Sequence, residues 1–269
     1  MVQMRSPVRW AGSKRQMLGL LRGYWRNDAT YIEPFAGSAC LFFDLEPNRA
    51  IIGDLNGDLI NSYRFLRDDP ESTLAELRTL RPDKEHYYEA RGQSPQDLAG
   101  AEAAARFFFL NRHCFNGLYR TNLKGEFNVP FGMTRGAPPL DESLLLSASR
   151  LLSRAQLINA DFEVTLDKAH CGDFVYLDPP YVSSADKVFS EYLPNSFTDR
   201  DLIRLQDCLE ELDRRGVTFV VTYSECIEAR KFMAKWKPKR WRARRHIAGF
   251  AAHRRFSFEL IATNRAHQL

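Results

Sequence analysis

The stretch Asp173-Phe174-Val175-Tyr176-Leu177-Asp178-Pro179-Pro180-Tyr181 decides the fold. Its first six residues form a short apolar run of the length of a buried strand. The run ends at two prolines, which have no N–H to give to a sheet ladder. Four runs of the same kind lie elsewhere: TYIEP at 30–34, RAIIGD at 49–54, AQLINA at 155–160 and VTFVVTY at 217–223. Helical patterns separate several of them. The clearest spans 198–215, where Leu202, Leu205, Leu209 and Leu212 recur at helical spacing. Thr198 and Asp201 form a capping pair at its start, and Gly216 supplies a stop. Strands alternating with helices predict an α/β fold with one mostly parallel sheet, covered on both faces.

One span breaks the alternation. Residues 57–148 hold helical stretches at 59–66, 72–80 and 101–110, then a segment dense in Asn, Arg, Gly and Phe at 111–132. This predicts a mainly helical subdomain inserted between the second and third strands, with residues 1–56 and 149–269 forming the sheet domain. A chain of 269 residues suits that plan. Apolar residues at 44% and charged residues at 27% allow a full core.

The formal net charge of +4 is too small to name a partner, but its distribution is uneven. From Arg230 to Arg255 there are eleven Lys or Arg residues and no acid, with Trp236, Trp241 and Phe250 interleaved. A polyanion partner explains this stretch, and so does a solvated basic helix followed by an edge strand. Five widely spaced cysteines with no CxxC pair predict neither a disulfide framework nor a zinc site. No run approaches the ~20 apolar residues needed to span a bilayer, and the first ten residues lack a signal-peptide core. The expectation is a cytoplasmic protein without a metal.

The chemistry concentrates where strands end. In open α/β sheets, ligands bind beyond the carboxyl ends of the strands. There Asp178, Pro179, Pro180 and Tyr181 offer a carboxylate, a stiff turn with free carbonyls, and an aromatic face. That set fits a planar base with an exocyclic amine: the carboxylate of Asp178 and the carbonyl of Pro179 can take its two N–H groups, and Tyr181 can stack. A proline-rich turn leaving a strand is the plainer reading of the tetrapeptide, weakened by its position. Glu33-Pro34-Phe35-Ala36-Gly37-Ser38-Ala39 follows the first strand and opens an apolar helix. It is neither a GxGxxG fingerprint nor a phosphate loop with a lysine, but a small-residue turn there is a generic cofactor turn. Asp54 ends the second strand about 20 residues later, where an acid commonly holds a ribose, although a strand-ending Asp can also simply cap a turn. In Arg9-Trp10-Ala11-Gly12-Ser13-Lys14, Trp10 could pack on a flat ligand or on the sheet, and Lys14 could meet a carboxylate.

Taken together, these motifs resemble the Dam family of DNA adenine N6-methyltransferases. The matching pieces run in family order over nearly the whole chain: RWAGSK at 9–14, YIEPFAGSA at 31–39, GDLNGDLINSY at 53–63, NRHCFNGLYRTNLKGEFNVPFG at 111–132, LDPPY at 177–181, NSFT at 195–198 and FELIATN at 258–264. The resemblance implies a Rossmann-like class I methyltransferase sheet and the cofactor S-adenosylmethionine. It places that cofactor on Trp10, Lys14, Glu33, Pro34, Phe35, Gly37, Ser38, Asp54, Asp161, Phe162 and Asp178, and catalysis on Asp178, Pro179, Pro180 and Tyr181. It makes residues 57–148 a target-recognition subdomain for double-stranded DNA. Asn116, Leu118, Arg120 and Pro130 match residues that approach bases, and Asn122 is expected to contact DNA. Phe115 takes an aromatic position that wedges into the stack, and Arg9 stands where a basic residue reads guanine. Arg244, Arg245, Arg254 and Arg255 are expected on phosphates.

The implied activity is methylation of adenine N6 in a short site, GATC or a relative of it. The enzyme would act as a monomer, in a bacterial or phage setting, on the nucleoid. Ala39 departs from the PFxGxG pattern of relatives and predicts a negative φ at that position. The competing readings are a methyltransferase for RNA or a protein amide, where Asn commonly replaces Asp178; a cytosine N4 enzyme, whose tetrapeptide usually begins with Ser; and an inactive duplex-binding regulator.

Overall fold

The computed structural model describes residues 4–132, 140–181, 197–244 and 256–265. Each of the five runs forms a strand where expected: β1 Tyr31–Glu33, β2 Ala50–Asp54, β3 Ala155–Asn159, β4 Phe174–Leu177 and β5 Thr218–Ser224. Two more strands close the sheet, β6 Lys239–Arg244 and β7 Phe256–Thr263. The order is β3-β2-β1-β4-β5-β7-β6. The first five strands are parallel, β7 runs antiparallel to β5, and β6 pairs antiparallel with β7 at the edge. The chain leaves β1 for β2 and β3 on one side and returns with β4 on the other. The topological switch point, where such sheets bind ligands, therefore lies between β1 and β4.

The helices are α1 Leu18–Leu21, α2 Cys40–Leu45, α3 Gly57–Asp68, α4 Pro70–Thr79, α5 Lys84–Gly92, α6 Gly100–His113, α7 Glu142–Leu152, α8 Phe162–Leu166, α9 Asp199–Arg214 and α10 Ile227–Phe232. In α9 all four leucines named above are buried, and Thr198 and Asp201 cap each other reciprocally. Gly216, at φ +74°, lies just beyond its end. The central strands read as unbroken apolar runs because each face is covered. Phe174 and Tyr176 of β4 join one core with α3, α6 and α7, while Val175 and Leu177 join the other with α8, α9 and α10. A smaller third cluster stands apart from the sheet, with Tyr87, Phe109, Leu110, Phe127 and Val129 at its centre. Among the described residues, no helix is long and apolar enough to cross a membrane.

Ala39 corrects the sequence expectation. It sits at φ +47°, in the left-handed region, not at negative φ. The conformation costs an L-residue about 1–2 kcal/mol, and this turn accepts that strain while its methyl group is fully buried. Ala39→Gly relieves the strain and loses a buried methyl worth about 0.8 kcal/mol. We expect a net stabilisation of up to about 1 kcal/mol, read as a raised urea midpoint; a lowered midpoint would contradict the strain argument.

Candidate active site

The carboxyl ends of β1, β2 and β4 and the loop after β3 open into one cleft of about 910 Å³. Every residue that the sequence assigned to cofactor or catalysis lines it: Trp10 and Lys14 before the sheet, Glu33 to Phe35, Gly37 and Ser38 after β1, Asp54 after β2, Asp161 and Phe162 after β3, and Asp178 to Tyr181 after β4. Gly37 adopts φ +48°, and a Cβ there would stand 2.7 Å from Cδ1 of Trp10. The turn can thus pass under the indole only as glycine. Its N–H donates to Oδ2 of Asp54 at 2.8 Å, and the Asn56 N–H donates to Oδ1 at 2.9 Å. Asp54 is thereby held rigid, with lone pairs left for a ligand.

Lys14 is the hub of the floor. Its ammonium, 5% exposed, lies 2.7 Å from Oδ1 of Asp178. It also donates to the Gly12 carbonyl at 3.0 Å and to the Tyr181 hydroxyl at 2.7 Å. All three of its protons are therefore directed. The Tyr181 hydroxyl donates onward to Oε2 of Glu259 at 3.2 Å. Thr222 donates to Oδ1 of Asp178 at 3.0 Å, which leaves Tyr176 as the donor in its 3.0 Å bond to Thr222. The Pro180 carbonyl accepts from Tyr223. Among the described residues nothing donates to the carbonyl of Pro179, which stays free as an acceptor. Burial, together with Asp178 and Glu259, raises the Tyr181 phenol above its ordinary pKa, so it stays a donor.

The cleft is acidic. Among the described residues, Glu33, Asp54, Asp58, Asp161, Asp178 and Asp201 line it together with one cation, Lys14. Glu33 is buried, and it accepts from the Tyr31 hydroxyl at 2.9 Å. Burial, with Asp178 and Asp54 nearby, pushes its carboxyl well above the ordinary range. Burial also raises Asp54, against the two amides that bond it. At the far end Phe35 and Phe162 lie with ring centroids 5.3 Å apart. Arg204 of α9 holds Asp161 at 2.7 Å and lies over Phe162. A site of this kind suits a ligand with a positive centre and a flat ring. Among the described residues, no group of three His, Cys, Asp or Glu side chains could hold a metal.

Among the described residues, none of those expected on DNA lines the cleft. Asn111 clamps the Arg9 backbone from both sides, accepting from its N–H at 2.8 Å and donating to its carbonyl at 2.7 Å. Gly117 packs on the Arg9 side chain. Phe115 is 50% exposed beside Asn116, which takes φ +56°. Arg120 is exposed and folded onto Asn128 at 2.7 Å. Asn122 is used within the turn, bonding Lys124, Glu126 and the Glu126 side chain. The exposed Pro130 accepts the Phe115 N–H at 2.9 Å. Arg244 ends β6, paired with Phe256, while Arg245, Arg254 and Arg255 lie outside the described residues.

Thr222, Glu259, Tyr176 and Tyr119 escaped sequence reasoning. The usable signal was a polar side chain interrupting an apolar strand, as Thr222 does in VVTYS and Glu259 in FELIAT.

Comparison with known proteins identifies the family. A family profile described as D12 class N6 adenine-specific DNA methyltransferase matches residues 10–247. The chain is 35% identical to the type II methyltransferase M1.LlaDCHI of Lactococcus lactis subsp. cremoris, over 98% of this chain and 96% of that protein. It is 34% identical to the type II methyltransferase M.MjaIII of Methanocaldococcus jannaschii, over 83% and 85% of the two chains. It is 30% identical to a DNA adenine methylase of Vibrio cholerae, over 99% and 98%. With its acceptor pair at the switch point of a mostly parallel sheet, the chain belongs to the D12 class of N6 adenine-specific DNA methyltransferases, and it is an adenine-specific DNA methyltransferase.

Proposed function

We propose that this enzyme uses S-adenosylmethionine to methylate an adenine flipped out of double-stranded DNA, within GATC or a related short site. The observation that carries the reading is the acceptor pair on the cleft floor: the Asp178 carboxylate, held between Lys14 and Thr222, and the undonated carbonyl of Pro179. When bound, S-adenosylmethionine supplies a methyl group activated by a sulfonium. The residues present fit it: the Gly37 turn lies at the cleft wall, Asp54 is held for a ribose, Phe35 and Phe162 offer an aromatic surface to a flat ring, and the acidic lining favours a cation.

The adenine amine is a poor nucleophile because its lone pair is delocalised into the ring. Asp178 and Pro179 accept its two N–H groups and favour a pyramidal nitrogen whose lone pair is free. Lys14 keeps the Asp178 carboxylate oriented, and Tyr181 offers its ring as a stacking face. The proton lost from nitrogen passes to water, since Asp178 serves as an orienting acceptor. Flipping costs a few kcal/mol, repaid by contacts outside the cleft. Residues 57–148 act as the target-reading unit in this scheme. Phe115 fills the gap in the stack, and Arg9, Asn116, Leu118, Arg120 and Pro130 meet base edges. The basic segment around β6 meets phosphates, which set register without reading sequence.

The test is transfer of labelled methyl from S-adenosylmethionine to a GATC duplex, to its single-base variants, to single-stranded DNA and to RNA, followed by nucleoside analysis. Label in N6-methyladenine of one duplex series supports the reading; label only in RNA or in cytosine overturns it. Arg120→Ala should then relax discrimination at one base pair by roughly 5–150-fold, the worth of a bidentate contact of about 1–3 kcal/mol. Initial rates across the variant duplexes measure it, and an unchanged preference would remove Arg120 from base reading.

A further inference from the structure

We propose that Tyr119 is a positioning residue that couples duplex reading to cofactor occupancy, making each ligand bind more tightly in the presence of the other. The inference rests on the cofactor and DNA assignments above and adds a residue to which they give no role.

Tyr119 lies between Leu118 and Arg120, both expected on base edges, in the segment that carries the exposed Phe115 and Arg120. Its own side chain turns the other way and forms part of the cleft wall. The ring stacks on Trp10, with centroids 5.4 Å apart and planes 18° apart. The hydroxyl donates to Oδ2 of Asp58 at 2.6 Å. Phe107 and Phe127 contact the ring from the helical side, at 5.9 and 5.6 Å. Burial and the Asp58 carboxylate raise the phenol's pKa, so the hydroxyl remains a donor.

Both partners of Tyr119 lead to the cofactor side of the cleft. Trp10 is in contact with Gly37, where no Cβ fits. Asp58 lies in the first turn of α3, four residues after Asp54, which holds the Gly37 amide. The sandwich Gly37–Trp10–Tyr119 therefore ties the cofactor turn to the reading segment by direct contact. The backbone of Arg9, next to Trp10, is held by Asn111 of α6. A ligand that presses on Trp10 changes the free energy of placing residues 118–120, and a duplex engaged on 118–120 changes that of the turn. Such coupling is reciprocal by thermodynamic necessity.

The experiment measures affinity of the full chain for S-adenosylhomocysteine, which cannot react, alone and with a saturating duplex of the sequence found to be methylated. Wild type should show a coupling factor of about fivefold or more. The affinity for the duplex, measured with and without S-adenosylhomocysteine, should shift by the same factor. Tyr119→Phe keeps the stack, loses the bond to Asp58 and reduces the factor. Tyr119→Leu loses both and brings it close to one. Asp58→Asn keeps an acceptor oxygen for the hydroxyl and retains most of it. Because the readout is a ratio, a general loss of affinity or of folded protein cancels. A factor near one in wild type, or one that survives in Tyr119→Leu, overturns the role of Tyr119 alone. Failure of wild type to bind S-adenosylhomocysteine at all overturns the assignment of the cleft.

Discussion

Asp178→Ala lowers kcat/KM for adenine methylation by about a thousandfold or more while leaving duplex affinity largely intact. Removing one preorganised hydrogen-bond partner of the reacting group costs about 10²–10³ in rate. Here the same change also releases Lys14, whose ammonium loses its carboxylate and is left buried beside Tyr181. The expected DNA-contacting residues that the structure describes all lie outside the cleft, so binding to DNA is spared. Steady-state rates on a labelled duplex and equilibrium binding to the same duplex measure the two effects separately. Asp178→Asn, which keeps an oxygen for Thr222, separates loss of chemistry from loss of fold. Turnover close to wild type in Asp178→Ala would remove the acceptor pair from the mechanism.

Lys14→Met is expected to damage both fold and activity, and a second substitution should repair only the fold. Lys14 is 5% exposed and Asp178 19%, so the variant leaves a largely buried carboxylate with Thr222 as its remaining partner. Breaking such a pair from one side costs about 3–5 kcal/mol, which in a chain of this size lowers the heat-unfolding midpoint by roughly 6–20 °C. Adding Asp178→Asn removes the stranded charge. The double variant should therefore unfold several degrees above Lys14→Met while remaining inactive. Groups in direct contact give non-additive cycles of this kind. If the two substitutions lower the midpoint additively, Lys14 and Asp178 are not paired in solution.

The parts of the fold legible in the sequence share one property: their signal is local. A strand buried on both faces has to be continuously apolar, so the five parallel strands stand out as runs. A helix with one buried stripe shows its leucines at regular spacing, as α9 does. Other elements carried little signal. In α5, only Tyr87 and Ala90 are buried, and the rest of the helix reads as polar surface. Charge obscures β6, with Lys239, Arg240 and Arg242 around Trp241 in an edge strand that needs one neighbour only. The basic stretch reads as either a polyanion contact or a solvated basic helix followed by an edge strand; among the described residues it holds the end of α10 and the edge strand β6, with Arg230 and Arg240 paired to Glu225 and Lys235 to Glu210.

By itself, the sequence determined the parallel sheet and the residues that gather at the carboxyl ends of its strands, because each strand and the turn that follows it are adjacent in the chain. It also marked residues 111–132 as a unit, through a long motif whose two halves pair with each other. Tertiary structure alone decided that Lys14 meets Asp178 across 164 residues, that Thr222 and Glu259 complete their hydrogen bonds, and that Tyr119 lies on Trp10. It also decided the left-handed backbone of Ala39. Periodicity reports which side of an element faces inward. Which buried polar groups then share a bond depends on the order of strands in the sheet, and that order follows from packing the whole chain.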